Sequence, residues 1–203
     1  GATVYTMLDQ GIQTRYSTEQ DEQMKIAGTP FKRSFNTYGT VNSIRALAVS
    51  SNVYMFKSVI KLAGGNYVYN QPLGITNEMA QETFKLMRNY YSMFGLGTKT
   101  GLDVPNEAQG FTGNTMNPGL LLDYSIGQYD NYTPIQLVQY AATIANGGKK
   151  VQPKLVNTAT EVNTDYTVYE NKTQVLSALP GSKEDLETIQ MGFREVVAGE
   201  HAI

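Results

Sequence analysis

Apolar residues recur along most of this chain at intervals of three and four, the spacing that places them on one face of an α-helix. The first such stripe begins at Val4 and predicts a helix over roughly residues 2–10 that ends at Gly11. A run that is apolar on most sides, residues 53–63, predicts a buried helix that ends at Gly64-Gly65. Caps and stripes predict four further helices: from Thr40 to Ser50-Ser51-Asn52, from Thr76-Asn77 through Phe94, from Thr133-Pro134 to Asn146-Gly147-Gly148, and from Ser182 through Val197.

Shorter segments alternate between apolar and polar positions, which is typical of strands. Met24 and Ile26 flank Lys25 before Gly28-Thr29-Pro30 and predict a short strand and turn, and residues 151–155 predict an edge strand, where Pro153 is tolerated. Residues 158–175 predict a surface hairpin, and the Gly-rich residues 95–119 predict a long ordered or functional loop. The sequence therefore predicts an α+β fold that is mainly helical, with a few short strands.

Composition narrows the functional classes. The 203 residues are 41% hydrophobic with a net charge of −2, which is globular and lacks the basic excess of a protein that mainly binds nucleic acid. There is no Cys, which excludes disulfides, thiolate metal sites and a Cys nucleophile, and the single His is His201. We therefore predict neither a metal nor a cofactor. No apolar run approaches the roughly 20 residues that cross a membrane.

The polar break Ser50-Ser51-Asn52 lies between two apolar helical runs. One interpretation is helix capping, because Ser and Asn oxygens accept the unpaired N–H groups at a helix start. The other is polar catalysis at a helix N-terminus, where the positive end of the dipole favours developing negative charge. The residues alone leave both interpretations open.

Two short strings match signatures of penicillin-interacting serine enzymes. Ser58-Val59-Ile60-Lys61 fits S-x-x-K and Lys99-Thr100-Gly101 fits K-T-G. In those enzymes the S-x-x-K serine precedes the S-x-N motif and begins its helix, and K-T-G lies on a strand. Ser58 instead follows Ser50 and lies inside an apolar helix, while Lys99 lies in the Gly-rich loop. We interpret both strings as chance matches.

Three ordered blocks carry a more specific resemblance. Residues 44–55, which contain Ala46-Leu47-Ala48-Val49-Ser50-Ser51-Asn52, are similar to a family block that reads A-L-x-x-S-S-N. Residues 94–107 resemble G-x-G-x-x-T-G-[IL]-D-[LV]-P-x-E, and residues 125–148 resemble a stretch containing G-Q, T-P-x-Q-L and A-x-x-A-N-G-G. Together they resemble the transpeptidase domain of class B penicillin-binding proteins, particularly the elongation-type enzymes of Gram-positive cocci. Residues 156–180 resemble no part of it.

The resemblance implies that residues 1–203 are one partial domain, truncated at both ends. Its fold would be the helical part of the β-lactamase/transpeptidase-like fold, with most strands of the main sheet outside the chain. As catalytic residues it implies Ser50, relaying a proton, and Asn52, whose amide holds a lysine and a substrate carbonyl. Ser51 would be structural, and Gln128 would lie in a loop that borders the substrate cleft.

The implied reaction is D,D-transpeptidation of peptidoglycan through a serine acyl-enzyme. The implied ligands are stem peptides ending in D-Ala-D-Ala and β-lactam antibiotics, and the implied partners are other cell-wall synthesis proteins. The family works at the extracytoplasmic face of the bacterial cell membrane, anchored by a helix that this sequence does not contain. The chain by itself is expected to be inactive, because no nucleophile stands at the expected place.

Two alternatives remain from the sequence. A serine β-lactamase or a penicillin-sensing domain could also use an S-x-N motif in this way. No Glu in this sequence, however, is a clear candidate for the deacylating residue of a class A β-lactamase. A non-enzymatic helical interaction module, in which Ser50 and Asn52 merely cap a helix, is the alternative from a different class. Labelling with a fluorescent penicillin separates these interpretations.

The resemblance makes one prediction about the neighbouring sequence. In the family a helix like residues 1–11 directly follows the lysine of S-x-x-K, and the K-T-G strand lies a few tens of residues beyond a segment like the one ending at Ile203. We expect Ser-x-x-Lys immediately before Gly1, which sequencing of the upstream coding region checks. Any other tetrad there would contradict the assignment.

Overall fold

The computed structural model describes residues 1–199, so the sole histidine, His201, lies outside the described residues. The elements within that range are α1 (Ala2–Asp9), β1 (Thr18–Asp21), β2 (Gly39–Asn42), α2 (Ser43–Ala48), α3 (Asn52–Leu62), α4 (Asn77–Met93), α5 (Pro118–Ser125), α6 (Pro134–Ala145), β3 (Lys149–Val151), β4 (Thr158–Thr160), β5 (Thr167–Glu170), β6 (Val175–Ala178) and α7 (Lys183–Ala198). None of the described helices is long and apolar enough to cross a membrane.

The described strands form three separate two-stranded antiparallel sheets, with pairs β1-β2, β3-β6 and β4-β5. The predicted α+β, mainly helical class is confirmed, and the β4-β5 pair confirms the predicted hairpin. Helix α1 lies at the centre, in contact with α3, α4 and α7. Its residues from Ala2 to Leu8 are all buried, so the helix is covered on every face.

Helix starts follow the predicted caps. The side chains of Thr76, Thr133 and Ser182 accept hydrogen bonds from the backbone N–H groups three residues later and begin α4, α6 and α7. Each oxygen satisfies an N–H group that has no partner within its own helix. The predicted helix over residues 53–63 is also confirmed, since α3 spans Asn52–Leu62 and most of its residues are buried.

Other predicted boundaries are wrong. Val41 belongs to strand β2, and α2 begins only at Ser43, because Asn42 is the residue that caps it. Met24 and Ile26 form isolated bridges, not a continuous strand. Strand β3 ends at Val151, before Pro153, which cannot donate to a ladder. Helix α5 lies partly in the segment predicted as loop, and Asn117 caps it with Pro118 at its first position.

Hydrogen bonds to two carboxylates hold the Gly-rich loop after α4 in place. Glu107 accepts hydrogen bonds from the backbone N–H groups of Thr100, at 2.6 Å, and Gly101, at 3.0 Å. Asp103 accepts from the N–H groups of Leu155, at 2.7 Å, and Val156, at 3.2 Å. Side chains thus replace the backbone ladder that this segment lacks, and the loop is ordered as predicted.

A buried ion pair joins α4 to the segments on both sides of α5. Arg88 donates from Nε to Oδ2 of Asp130 at 2.9 Å and from Nη2 to Oδ1 at 2.8 Å, a two-pronged geometry. Gly113 donates its N–H to the same carboxylate and accepts from Arg88 through its carbonyl oxygen, each at 2.9 Å. The Asp130 side chain is only 4% exposed, so its charge depends on this partner.

Arg88→Met should lower the free energy of unfolding by about 3 kcal/mol, because it leaves the Asp130 carboxylate buried without a counter-charge. Urea denaturation of the purified protein measures the change. Lys183→Met is the matched control, since its ion pair with Glu187 is exposed and worth a few tenths of a kcal/mol at most. Equal losses for the two variants would contradict the structural role of Arg88.

Candidate functional site

A cavity of about 400 Å³ lies where three parts of the chain meet. They are the first turn of α1, the turn between α2 and α3, and the loop that follows α5. Side chains from α4, α6 and α7 also line it. The lining includes Gly1, Ala2, Thr3, Ser50, Ser51, Asn52, Tyr91, Ser125, Gly127, Tyr132, Tyr140 and Phe193.

Ser50 occupies the turn between α2 and α3 in an unusual backbone conformation. Its φ is 54°, in the left-handed region that non-glycine residues adopt rarely and at an energetic cost. Its side chain is exposed and lines the cavity. Residues in this conformation are enriched at functional sites. They persist only when the surrounding structure holds them in place.

Capping and cavity lining are divided among the three residues of the polar break. Ser51 is the cap: it is buried, and its hydroxyl accepts from the N–H of Tyr54 at 3.0 Å. Asn52 is the first residue of α3, is partly exposed and lines the cavity, and its Nδ2 donates a long 3.5 Å hydrogen bond to the carbonyl oxygen of Arg33. The capping interpretation therefore fits Ser51 and does not account for Ser50.

Gln128 lies at the edge of this region. It is exposed and follows Gly127, which lines the cavity, but its own side chain is not part of the lining. Its backbone N–H donates to the carbonyl oxygen of Asp123 at 2.9 Å, which closes the end of α5. The structure thus brings Ser50 and Asn52 together and leaves Gln128 beside them, so its substrate role stays a prediction.

The two strings interpreted as chance matches lie away from the cavity lining. Ser58 is buried inside α3, where its hydroxyl donates to the carbonyl oxygen of Tyr54 at 2.7 Å. Lys61 forms an ion pair with Glu19. Thr100 is fully buried and bound by Glu107, so the Lys99-Thr100-Gly101 string belongs to the folded loop.

Sequence reasoning missed a hydrogen-bond chain in the cavity wall. Thr3 donates its only hydroxyl proton to the carbonyl oxygen of Ser125 at 2.7 Å, so at 2.6 Å the Tyr91 hydroxyl must be the donor to Thr3 Oγ1. Burial raises the pKa of Tyr91 well above its usual range, which keeps the phenol protonated and able to donate. The partners are 88 and 122 residues apart in sequence, so no local pattern could have indicated them.

The described lining of the cavity contains no carboxylate, ammonium, guanidinium or imidazole side chain. Its polar groups are the hydroxyls of Ser, Thr and Tyr, the Asn52 amide and backbone groups. Within residues 1–199 no cluster of three or more His, Asp or Glu side chains could hold a metal ion. These hydroxyl and amide groups can donate and accept hydrogen bonds at the cavity.

The chain is thus a mainly helical α+β unit in which the Ser50 hydroxyl and the Asn52 carboxamide line one cavity. Residues 1–202 match the family model described as the penicillin-binding protein transpeptidase domain. Penicillin-binding protein 2A of Bacillus subtilis is 40% identical over 201 residues, which cover 97% of this chain and 28% of the relative. The chain therefore belongs to the penicillin-binding protein transpeptidase family.

Further comparisons agree. Penicillin-binding protein 2B of Streptococcus pneumoniae is 35% identical over 159 residues, 76% of this chain and 23% of that protein. The solved structure of penicillin-binding protein 2B from Streptococcus pneumoniae strain 5204 superposes with a TM-score of 0.89 at 28% identity, covering 98% of this chain and 34% of that one. The chain thus spans less than a third of the length of these two sequence relatives.

The cavity tyrosines predict a specific alkaline instability. Burial raises the pKa of Tyr132 and of Tyr140 to about 12. An unfolded Tyr loses its proton near pH 10, so between about pH 10 and 12 the unfolded chain releases protons that the folded chain keeps. The stability contributed by the neutral phenols is complete below pH 10, and we expect it to fall as the pH rises through this window.

Urea denaturation midpoints measured from pH 9 to pH 12 test this expectation. Tyr140→Phe removes one of the ionisable groups, so its midpoint should fall less steeply with pH than that of the unchanged protein. Identical slopes for the two proteins above pH 10 would contradict the assignment to Tyr140.

Proposed function

We propose that this chain is part of a serine-type D,D-transpeptidase that cross-links peptidoglycan and is acylated by β-lactams. Membership of the transpeptidase family supports the reaction class. The main observation behind the residue assignments is that Ser50 and Asn52 both line one cavity, whereas Ser51, of the three residues in the polar break, caps the helix.

The nucleophile and its base come from a segment that precedes Gly1 in this proposal. Acyl transfer to a serine needs an activated hydroxyl, a base, an oxyanion hole and a proton donor for the leaving amine. The described cavity wall offers no Lys, Arg, His, Asp or Glu side chain, and Gly1 and Thr3 line the same cavity as Ser50. A Ser-x-x-Lys tetrad joined to the start of α1 would enter the cavity where a base is required.

Ser50 and Asn52 then have distinct roles. A hydroxyl both donates and accepts, so Ser50 passes a proton between the lysine and the leaving nitrogen. The Asn52 amide also donates and accepts but carries no charge, so it holds the lysine and the carbonyl of the substrate's side branch without changing the net charge. Both residues lie at the start of α3, where the helix dipole favours the negative charge that develops on the substrate.

The reaction proceeds in two balanced steps. The serine oxygen bonds to the carbonyl carbon of the penultimate D-Ala, the amide C–N bond breaks, and the hydroxyl proton is delivered to the departing terminal D-Ala. An amine of a second peptide strand then attacks the ester, forms the new amide and returns a proton to the serine oxygen. A β-lactam presents a strained amide to the same serine, and ring opening leaves it attached.

The remaining features of the proposal follow from the same assignment. Gln128 lies beside the cavity at Gly127, where its amide would face the substrate peptide. The protein works at the extracytoplasmic face of the bacterial membrane together with other cell-wall synthesis proteins. One solved structure of similar fold is a complex between a penicillin-binding protein and MreC from Helicobacter pylori, which supports this kind of partner.

Fluorescent penicillin separates this function from its alternatives when the full-length protein is used. A transpeptidase forms a lasting covalent adduct, and a β-lactamase hydrolyses the label rapidly. An interaction module remains unlabelled, which would overturn the proposal.

Substitution at the cavity tests the residue roles. Ser50→Ala and Asn52→Ala should each lower the acylation rate constant by about 10²- to 10⁴-fold, the usual contribution of a group that transfers or orients a proton. Ser177→Ala is the matched control, since Ser177 is exposed on β6 and away from the cavity lining. Stopped-flow acylation with the penicillin measures all three rates, and unchanged rates for both cavity variants would remove these roles.

A further inference from the structure

The turn that presents Ser50 is attached to a buried carboxylate on a different element. Asp21 is the last residue of β1 and is 1% exposed. Its Oδ2 accepts hydrogen bonds from the hydroxyls of Ser51 and Ser34, the latter at 2.6 Å. No ion pair within residues 1–199 involves Asp21, and the side-chain donors to its carboxylate are these two hydroxyls.

The direction of each hydrogen bond in this group is fixed by proton counting. Each hydroxyl has one proton, and both protons point to Asp21. The hydroxyl oxygens are therefore left as acceptors, and each takes a backbone N–H from the first turn of α3. Ser51 accepts from Tyr54 at 3.0 Å, and Ser34 accepts from Val53 at 3.1 Å.

The result is a closed arrangement in which two serines connect the N-terminal amides of α3 to one negative charge. That charge lies at the positive end of the α3 dipole, where an anion is stabilised. It is also attached to β1, which pairs with β2 in a register that sets Asp21 opposite Gly39. The α2–α3 turn is therefore anchored from outside its own helices.

This anchor explains how Ser50 is held at a φ of 54°. The neighbouring Ser51 cannot move without losing its bond to Asp21, and α3 cannot rotate without losing the Val53 and Tyr54 bonds. A strained residue persists only when the surrounding structure holds it in place. Here the residues held by hydrogen bonds, Ser51, Val53 and Tyr54, follow Ser50 in the sequence. The segment carrying Ser34 also supplies the Arg33 carbonyl oxygen that accepts from Asn52.

We infer that Asp21 and Ser34 are positioning residues that aim Ser50 and Asn52 into the cavity through Ser51 and the first turn of α3. The predicted effect on the acylation rate rests on the proposed function, whereas the predicted effect on the conformation of the turn does not. Neither residue lines the cavity, so each acts through the turn without contacting substrate.

Ser34→Ala in the full-length protein is the principal test. We expect the rate constant for acylation by penicillin to fall by about tenfold to a hundredfold, because small displacements of reacting groups have effects of that size. The dissociation constant of the complex before acylation should change less than twofold. Ser58→Ala is the matched control: Ser58 is also buried, its hydroxyl also bonds to α3, and it has no hydrogen bond to Asp21, Ser34 or Ser51.

A pair of substitutions at Ser51 separates anchoring from capping. Ser51→Thr keeps the cap and the donor to Asp21, and we expect it to keep the acylation rate. Ser51→Asp keeps an acceptor for the helix N–H but places a carboxylate against Asp21, so the rate should fall as far as in Ser34→Ala. If Ser51→Asp and Ser34→Ala both acylate at the unchanged rate, the inference is overturned.

A crystal structure of the Ser34→Ala variant tests the positioning role without an activity measurement. We expect the α2–α3 turn to shift and the φ of Ser50 to leave the left-handed region, and an unchanged turn would overturn the inference. A full-length protein that never reacts with penicillin, with a shifted turn in Ser34→Ala, would instead contradict the proposed function and leave the positioning role supported.

Discussion

The arrangement of the whole unit depends on the burial of α1. The helix is only eight residues long and is covered from Ala2 to Leu8, so its neighbours must approach from every side. Apolar burial on that scale is non-directional, and direction comes from polar contacts within it, such as the Thr3 hydroxyl between Tyr91 and the Ser125 carbonyl oxygen. Packing contacts hold α3, α4 and α7 against α1, while the Thr3 hydrogen bonds set how α4 and the end of α5 face it. The cavity opens at the first turn of this same helix.

Elements with strong local signals could be predicted from the sequence. Helices α4, α6 and α7 begin at Thr76, Thr133 and Ser182, because a side-chain cap and the stripe after it both act within a few residues. The errors have a physical pattern. Val41 fits a helical stripe, yet tertiary pairing of β2 with β1 places it in a strand. The sequence pattern does not indicate helix α5, because Gly and Pro around its start obscure the cap at Asn117.

The candidate site also has features that the sequence indicates and contacts that it does not. Ser50, Ser51 and Asn52 are adjacent in sequence, so the polar break could be recognised, although which of them caps the helix depends on the left-handed conformation of Ser50. Contacts between distant segments leave no local pattern in the sequence. Thr3 meets Ser125 across 122 residues, and Asp21 meets Ser51 across 30. Such pairs exist only after the core has brought their elements together.

The backbone at Ser50 limits which residues can replace it. A left-handed φ is comfortable for Gly and tolerable for Asn or Asp, none of which has a hydroxyl. Thr keeps the hydroxyl but adds a β-branch that this conformation disfavours. Every replacement thus loses either the functional group or the geometry that presents it. Evolutionary change that keeps both the hydroxyl and this geometry has to occur at other residues, such as those that support the turn.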